Sequence, residues 1–222
     1  MSKSVYSIVL TDDVVEAIDR LAYSMNTSRS NLINQILAER VSYVTPEKRM
    51  SDIFETLGKL MSDSSDNFQI QQQPSDDMLS IRSALKYKYK PTIRYSLQLY
   101  RSFDKTIGEL KVSFRTQSAQ LISILTDFLK LWVELENTYV VRFFPEGIRY
   151  VIEDGRFTRI FRLPHGREGQ SNSQIAEAIA EYIQMFDEIL KVYFANAEDK
   201  QTACTEVKKA YGKYLQKGLV VI

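Results

Sequence analysis

The first 45 residues change from strand-like to helix-like spacing of their apolar side chains. Residues 5–10, VYSIVL, are rich in β-branched and aromatic side chains, which predicts a strand. From a cap at Thr11, apolar positions recur every three or four residues, which predicts an amphipathic helix to about residue 25. Asn26 suits a left-handed turn, and Ser28 suits the cap of a second helix that ends near Val44. The pattern therefore predicts one strand followed by two helices.

Three further segments follow along the chain. Residues 46–61 keep helical spacing and predict a connecting helix. Residues 62–77 are dominated by Ser, Asp and Gln, which predicts a polar linker. Residues 78–222 return to regular patterns and predict an α+β domain with an antiparallel sheet and long helices. We therefore divide the chain into a segment of residues 1–45, the connecting helix, the linker and a C-terminal domain whose role the pattern does not reveal.

Alternating side chains define the sheet of the C-terminal domain. Apolar residues occupy odd positions from 79 to 99, which predicts half-buried strands broken near Pro91. The other predicted elements are a strand at 110–114, a long helix capped by Thr116, a hairpin turning at Asp154-Gly155, and helices at about 173–195 and 199–216.

The run SVYSIVLTDDVVEAIDRLAYSMNTSRSNLINQILAERV resembles the ribbon-helix-helix repressors of the CopG, Arc and MetJ type. The likeness lies in the strand length, the helix lengths and the NTSRS turn, and covers about a fifth of the chain. In that family, two N-terminal strands pair antiparallel across a two-fold axis, and the resulting ribbon enters the major groove. The resemblance implies a homodimer, or a higher oligomer, that binds double-stranded DNA sequence-specifically as a transcriptional regulator.

The strand period separates two faces of the predicted ribbon. Leu10 adjoins the helix start and must pack inward, so the alternate residues face outward. The candidate base contacts are Lys3, Val5, Ser7 and Val9. The resemblance assigns phosphate contacts to the start of the second helix, at Ser28, Arg29 and Ser30. The alternative is that the serine only caps the helix and the arginine is a solvated surface charge.

Charge is distributed unevenly, although the 222 residues sum to +1. Residues 1–45 hold four Lys and Arg against five Asp and Glu, a net −1 that suits a polyanion poorly. Residues 78–115 hold nine Lys and Arg against two Asp and Glu, a net +7. The polar strand positions would place this charge on one sheet face, with Lys86, Lys88 and Lys90 as auxiliary DNA contacts. The alternative is an ordinary solvated face of an antiparallel sheet.

The composition argues against several other classes of function. One cysteine, Cys204, and one histidine, His165, cannot form an intrachain disulfide or a Cys/His zinc site. They also disfavour Cys/His and Ser/His catalysis, although carboxylate chemistry remains open. Neither a phosphate-binding glycine loop nor a secretory signal is present. We therefore expect a cytoplasmic protein that is not an enzyme, without catalytic residues, cofactor, metal or membrane partner.

A second class of function stays open beside DNA binding. The C-terminal domain would then be a ligand sensor or a protein-interaction module, and the ribbon would serve mainly to dimerise it. Relaxosome accessory proteins, partition proteins and antitoxins use the ribbon-helix-helix module in related ways.

Overall fold

The computed structural model describes residues 5–64, 68–71, 77–87, 91–103, 106–153, 155–167, 169–218 and 221–222. The chain divides into two compact units, Met1–Lys48 and Arg49–Ile222, close to the predicted boundary at residue 45. Helices and an antiparallel sheet confirm the predicted α+β class. The intermolecular ribbon would require a second copy of the chain and stays a prediction.

The first unit contains the two predicted helices, α1 at Asp12–Ser24 and α2 at Arg29–Arg40. Asn26 between them is left-handed, with φ 50°. This conformation closes α1, because it lets the next backbone N–H reach back to a carbonyl in the last helical turn. Ser28 caps α2 as predicted, since its Oγ accepts a hydrogen bond from the Asn31 backbone N–H at 3.2 Å.

Two details of this unit differ from the sequence prediction. The second helix ends at Arg40 instead of near Val44, because Ser42 is left-handed with φ 56° and turns the chain there. Thr11 occupies the cap position of α1, but its side chain accepts no hydrogen bond from the helix. Residues 5–10 form neither helix nor strand within a single chain.

The predicted polar linker, residues 62–77, was wrong at its start and in its middle. Helix α3 spans Pro46–Ser64 and so extends beyond the predicted end at residue 61. Strand β1, at Phe68–Gln71, lies inside the stretch assigned to the linker. It forms because Ile70 pairs with Ile81 of the neighbouring strand and Phe68 packs against the core. The remaining parts of the predicted linker, 65–67 and 72–76, lie outside the described residues.

The second unit is built on a six-stranded antiparallel sheet with the order β1-β2-β3-β4-β6-β5. Its other strands are β2 Met78–Ala84, β3 Thr92–Leu99, β4 Thr106–Phe114, β5 Tyr150–Glu153 and β6 Arg156–Arg162. Its other long helices are α4 Ala119–Tyr139, α5 Asn172–Ala195 and α6 Lys200–Lys217. The two predicted C-terminal helices and the hairpin around Gly155 are confirmed. Strand β4 begins four residues earlier than predicted, and Ser118, not Thr116, caps α4.

The core lies between the helices and one face of the sheet. The apolar side chains of β3 at odd positions are all buried, which confirms the predicted alternation. Phe186 of α5 lies at the centre, where its ring contacts Tyr95 and Phe157 of the sheet and Trp132 of α4. Because the helices cover one face, the even-numbered side chains of β3 point to the other.

Candidate nucleic-acid interface

Residues 5–10 of the first unit are exposed along their whole length. Val5 is 99% exposed and Val9 is 98% exposed, and Ser7 between them is also exposed. Leu10, predicted to face inward, is much less exposed than either valine. Lys3, the fourth candidate base contact, lies outside the described residues. Three of the four candidates are therefore accessible in a single copy of the chain.

The helices of the first unit leave much apolar surface uncovered. Five apolar side chains are between 43% and 52% exposed: Val14, Leu21, Met25, Ile36 and Leu37. Among the described residues of this unit, the buried apolar side chains are only Ala22, Leu32 and Ala38. Three buried apolar residues are a small core for a unit of this size.

The start of α2 presents the three candidate phosphate contacts, but Arg29 already has a partner. Its Nε donates to Oδ1 of Asp19 at 2.6 Å, and Nη2 donates to Oδ2 of the same carboxylate. These hydrogen bonds hold the pKa of Asp19 below its ordinary value. Ser28 and Ser30 are exposed. The sequence did not reveal the ion pair, because its partners are ten residues apart on different helices.

The outer face of the sheet carries a groove of about 600 Å³. Its charged lining residues are Arg82, Arg94, Lys111, Arg115, Arg156 and Glu153. Lys86 is exposed beyond the end of β2 and does not line the groove, whereas Lys88 and Lys90 lie outside the described residues. The structure thus gathers a different set of cations from the predicted auxiliary contacts. One of them, on β6, lies far along the chain from the basic stretch 78–115 and was missed.

A buried ion pair links α4 to β6 in the core of the second unit. The side chains of Glu136 and Arg159 are each 1% exposed. Arg159 Nε lies 3.0 Å from Glu136 Oε1 and 3.1 Å from Oε2, and the Tyr182 hydroxyl donates to Oε2 at 3.3 Å. Burial raises the pKa of Glu136, and the guanidinium opposes that rise. Because solvent does not reach these groups, they belong to the core and are not presented to a ligand at the surface.

The comparisons with protein families, curated proteins and solved structures found no match. Among the described residues, no three His, Cys, Asp or Glu side chains lie together so that they could hold a metal ion. No helix in the described part of the chain has the length and apolarity needed to cross a membrane. Any assignment of function must therefore come from the sequence resemblance and from the surfaces described above.

Proposed function

We propose that the protein is a homodimer that binds double-stranded DNA sequence-specifically and acts as a transcriptional regulator. In this proposal, the first units of two copies form a ribbon-helix-helix dimer. The observation that carries the proposal is the uncovered apolar surface of α1 and α2. Covering a half-exposed Leu, Ile, Val or Met contributes roughly 1 kcal/mol, so five such side chains per copy favour association with a partner.

A second copy of the chain would also provide hydrogen-bond partners for the backbone of residues 5–10. Extended backbone exposes unpaired N–H and C=O groups. When this segment pairs antiparallel with the same segment of a second copy, these groups form hydrogen bonds equally in both copies. Two-fold pairing also brings the apolar faces of both helix pairs to one shared core. A strand of four to six residues is not stable alone, but is stabilised when helices cover one of its faces.

The ribbon would direct Val5, Ser7 and Val9 toward base edges. The serine hydroxyl can donate to or accept from several bases, and the valines can contact thymine methyl groups. Arg29 can keep its pair with Asp19 and still contact a phosphate, because a guanidinium has five N–H donors and the carboxylate uses two. The first backbone N–H groups of α2 add further phosphate donors.

The association is tested by placing proline at Ser7 in the full-length chain. Proline removes one ribbon hydrogen bond in each copy, so the variant should sediment as a monomer and lose DNA binding. Ser7→Ala is the matched control, because it keeps the N–H and should stay dimeric. If the Ser7→Pro protein is a dimer of unchanged stability, the ribbon is not the interface and the proposal fails.

Sequence specificity is tested by selecting bound sites from a random pool of DNA duplexes. Ser7→Ala should change which sites are preferred. Arg29→Ala should weaken all sites similarly and lower the slope of log affinity against log salt by about one unit, as for one phosphate contact. If the two variants have the same effect on every sequence, the ribbon does not read bases.

A further inference from the structure

The groove on the outer sheet face places like charges directly opposite one another. Arg82 of β2 and Arg94 of β3 are paired residues in the antiparallel register. Side chains in such positions have Cβ atoms about 4.5–5.5 Å apart, and like charges there are destabilising. A sheet face that only needs solvation has no reason to concentrate cations in this way.

The cations continue across the sheet in register. Ser113 of β4 lies beside Arg94, and Arg156 of β6 lies beside Ser113. The row of Arg82, Arg94, Ser113 and Arg156 therefore crosses four neighbouring strands, a width of roughly 14 Å at 4.7–4.9 Å per strand. Among the described residues, Glu153 is the one carboxylate that lines the groove, and it lies opposite the last arginine of the row.

A second row adds one more cation and several hydroxyl groups. Lys111 of β4 lies between Ser96 of β3 and Thr158 of β6. Its ammonium pairs with Glu109 on its own strand at 2.5 Å. In the first row, Nε of Arg94 donates to Oγ of Ser80 at 3.0 Å, which fixes the position of that guanidinium. The groove thus combines one positioned guanidinium, that of Arg94, and further cations with neighbouring hydroxyl groups.

The ion pairing of the arginines is incomplete. Among the described residues, Arg82, Arg115 and Arg156 form no ion pair, and Arg94 donates to a neutral hydroxyl. Guanidinium groups bind phosphate with two parallel hydrogen bonds, and hydroxyl groups add neutral donors to the same oxygens. An anion in the groove would also relieve the repulsion between the paired arginines.

We propose that this groove binds phosphate groups, at least two at a time, across β2, β3, β4 and β6. The groove volume lies within the range of small-ligand sites, about 300–1,000 Å³. The ligand is a short polyphosphate or the phosphate backbone of a nucleic acid, which share the same recognition chemistry. This inference does not depend on the proposed function of the first unit, because all the residues of the groove belong to the second unit.

The first experiment measures tripolyphosphate binding to the full-length protein by calorimetry at low salt. Arg82→Gln/Arg94→Gln should bind about a hundredfold more weakly, since each of the two lost charged hydrogen bonds to phosphate costs about a factor of ten. Lys208→Gln/Lys213→Gln is the matched control, because it removes two exposed cations from α6, away from the groove. This control should bind within about twofold of the parent.

The second measurement separates a binding site from a solvated surface. Because Arg82 and Arg94 repel each other when the groove is empty, Arg82→Gln should raise the melting temperature of the free protein. Tripolyphosphate should raise the melting temperature of the parent more than that of the variant. A solvated surface also predicts the first effect, because the two arginines are paired in the register either way. It does not predict the second effect, so the shift caused by tripolyphosphate decides between them.

The third measurement identifies the source of the phosphate. If the backbone of DNA occupies the groove, tripolyphosphate competes with a fluorescent DNA duplex, and the double arginine variant weakens DNA binding. If a short polyphosphate is the ligand, the double variant loses its affinity for tripolyphosphate and keeps its affinity for DNA. If the double variant binds both tripolyphosphate and DNA as tightly as the parent does, the groove is a solvated surface and the proposal is wrong.

Discussion

Removing the carboxylate of Glu136 should strongly destabilise the second unit. Glu136→Ala leaves the Arg159 guanidinium, which is always charged, in the core without its ion-pair partner. Breaking a fully buried pair by removing one partner typically costs 3–5 kcal/mol, because the remaining charge keeps its desolvation penalty. The variant also loses the hydrogen bond that the Tyr182 hydroxyl donates to the carboxylate.

The aromatic rings around Arg159 set where in that range the cost should fall. Its guanidinium carbon lies 4.6 Å from the centre of the Tyr182 ring and 5.2 Å from that of Phe161. Both contacts are present in the parent and remain in the variant, so the cation is not left without any favourable neighbour and the cost should fall at the lower end of the range. We therefore expect a loss of about 3 kcal/mol, a large fraction of the 5–15 kcal/mol that stabilises a typical domain.

The measurement is urea denaturation followed by tryptophan fluorescence. Trp132 is the only tryptophan of the chain, is fully buried, and donates its N–H to the Tyr182 hydroxyl at 3.0 Å. Its emission therefore reports on the core of the second unit. In Glu136→Ala, the urea concentration at the midpoint of unfolding should fall. The slope of the unfolding free energy against urea concentration should stay the same, as expected for a change in stability with two-state unfolding.

A double variant separates lost charge pairing from lost packing. Glu136→Leu/Arg159→Met replaces the pair with apolar side chains of similar volume, and should recover most of the stability that Glu136→Ala loses. If Glu136→Ala costs less than about 1 kcal/mol, the guanidinium is not a desolvated charge and the reasoning fails. If the double variant is as unstable as Glu136→Ala, the loss is one of packing.

Three further predictions test the backbone and the electrostatics. Gly108→Ala should cost about 1–3 kcal/mol in urea denaturation, because its Cβ would lie 2.1 Å from the Gln98 carbonyl oxygen; unchanged stability would contradict this geometry. The carboxyl of Asp19 should have a pKa below 3.8 when titrated by NMR. The stability that its pair with Arg29 contributes is then present above pH 3.8 and is lost as the pH falls through the lowered pKa. An ordinary pKa for Asp19 would contradict the pair. Asn26→Ala should lower the melting temperature by the equivalent of about 1 kcal/mol, whereas Asn26→Gly should not.

The sequence predicted those elements that depend on local spacing. The alternation in β3 and the helical stripe of α5 arise from neighbouring residues along the chain, so they can be read without knowing the fold. The left-handed turn at Asn26 and the cap at Ser28 are also local, and both were predicted. Local patterns therefore give most of the helices and strands of this chain.

Apart from a few helix and strand boundaries, the errors concern contacts between distant residues. Strand β1 has only Phe68 and Ile70 to bury, and it is stable because β2 lies beside it. The basic groove depends on Arg156, which the sheet order brings beside β4 from far along the chain. The pair of Glu136 and Arg159 joins a helix to a strand, and no spacing rule predicts it. Pairing partners follow from topology, which the hydrophobic pattern does not determine.

The order of the strands also limits how the second unit can associate. In the described part of the chain, its edge strands β1 and β5 have four residues each, about half the length of the inner strands β3 and β4. A short edge offers few free backbone donors and acceptors to an incoming strand, so edge-to-edge addition and fibre growth are disfavoured. Short edges thus disfavour open-ended polymerisation of the second unit through its sheet, and in the proposed function a closed two-fold assembly forms through the helices of the first unit.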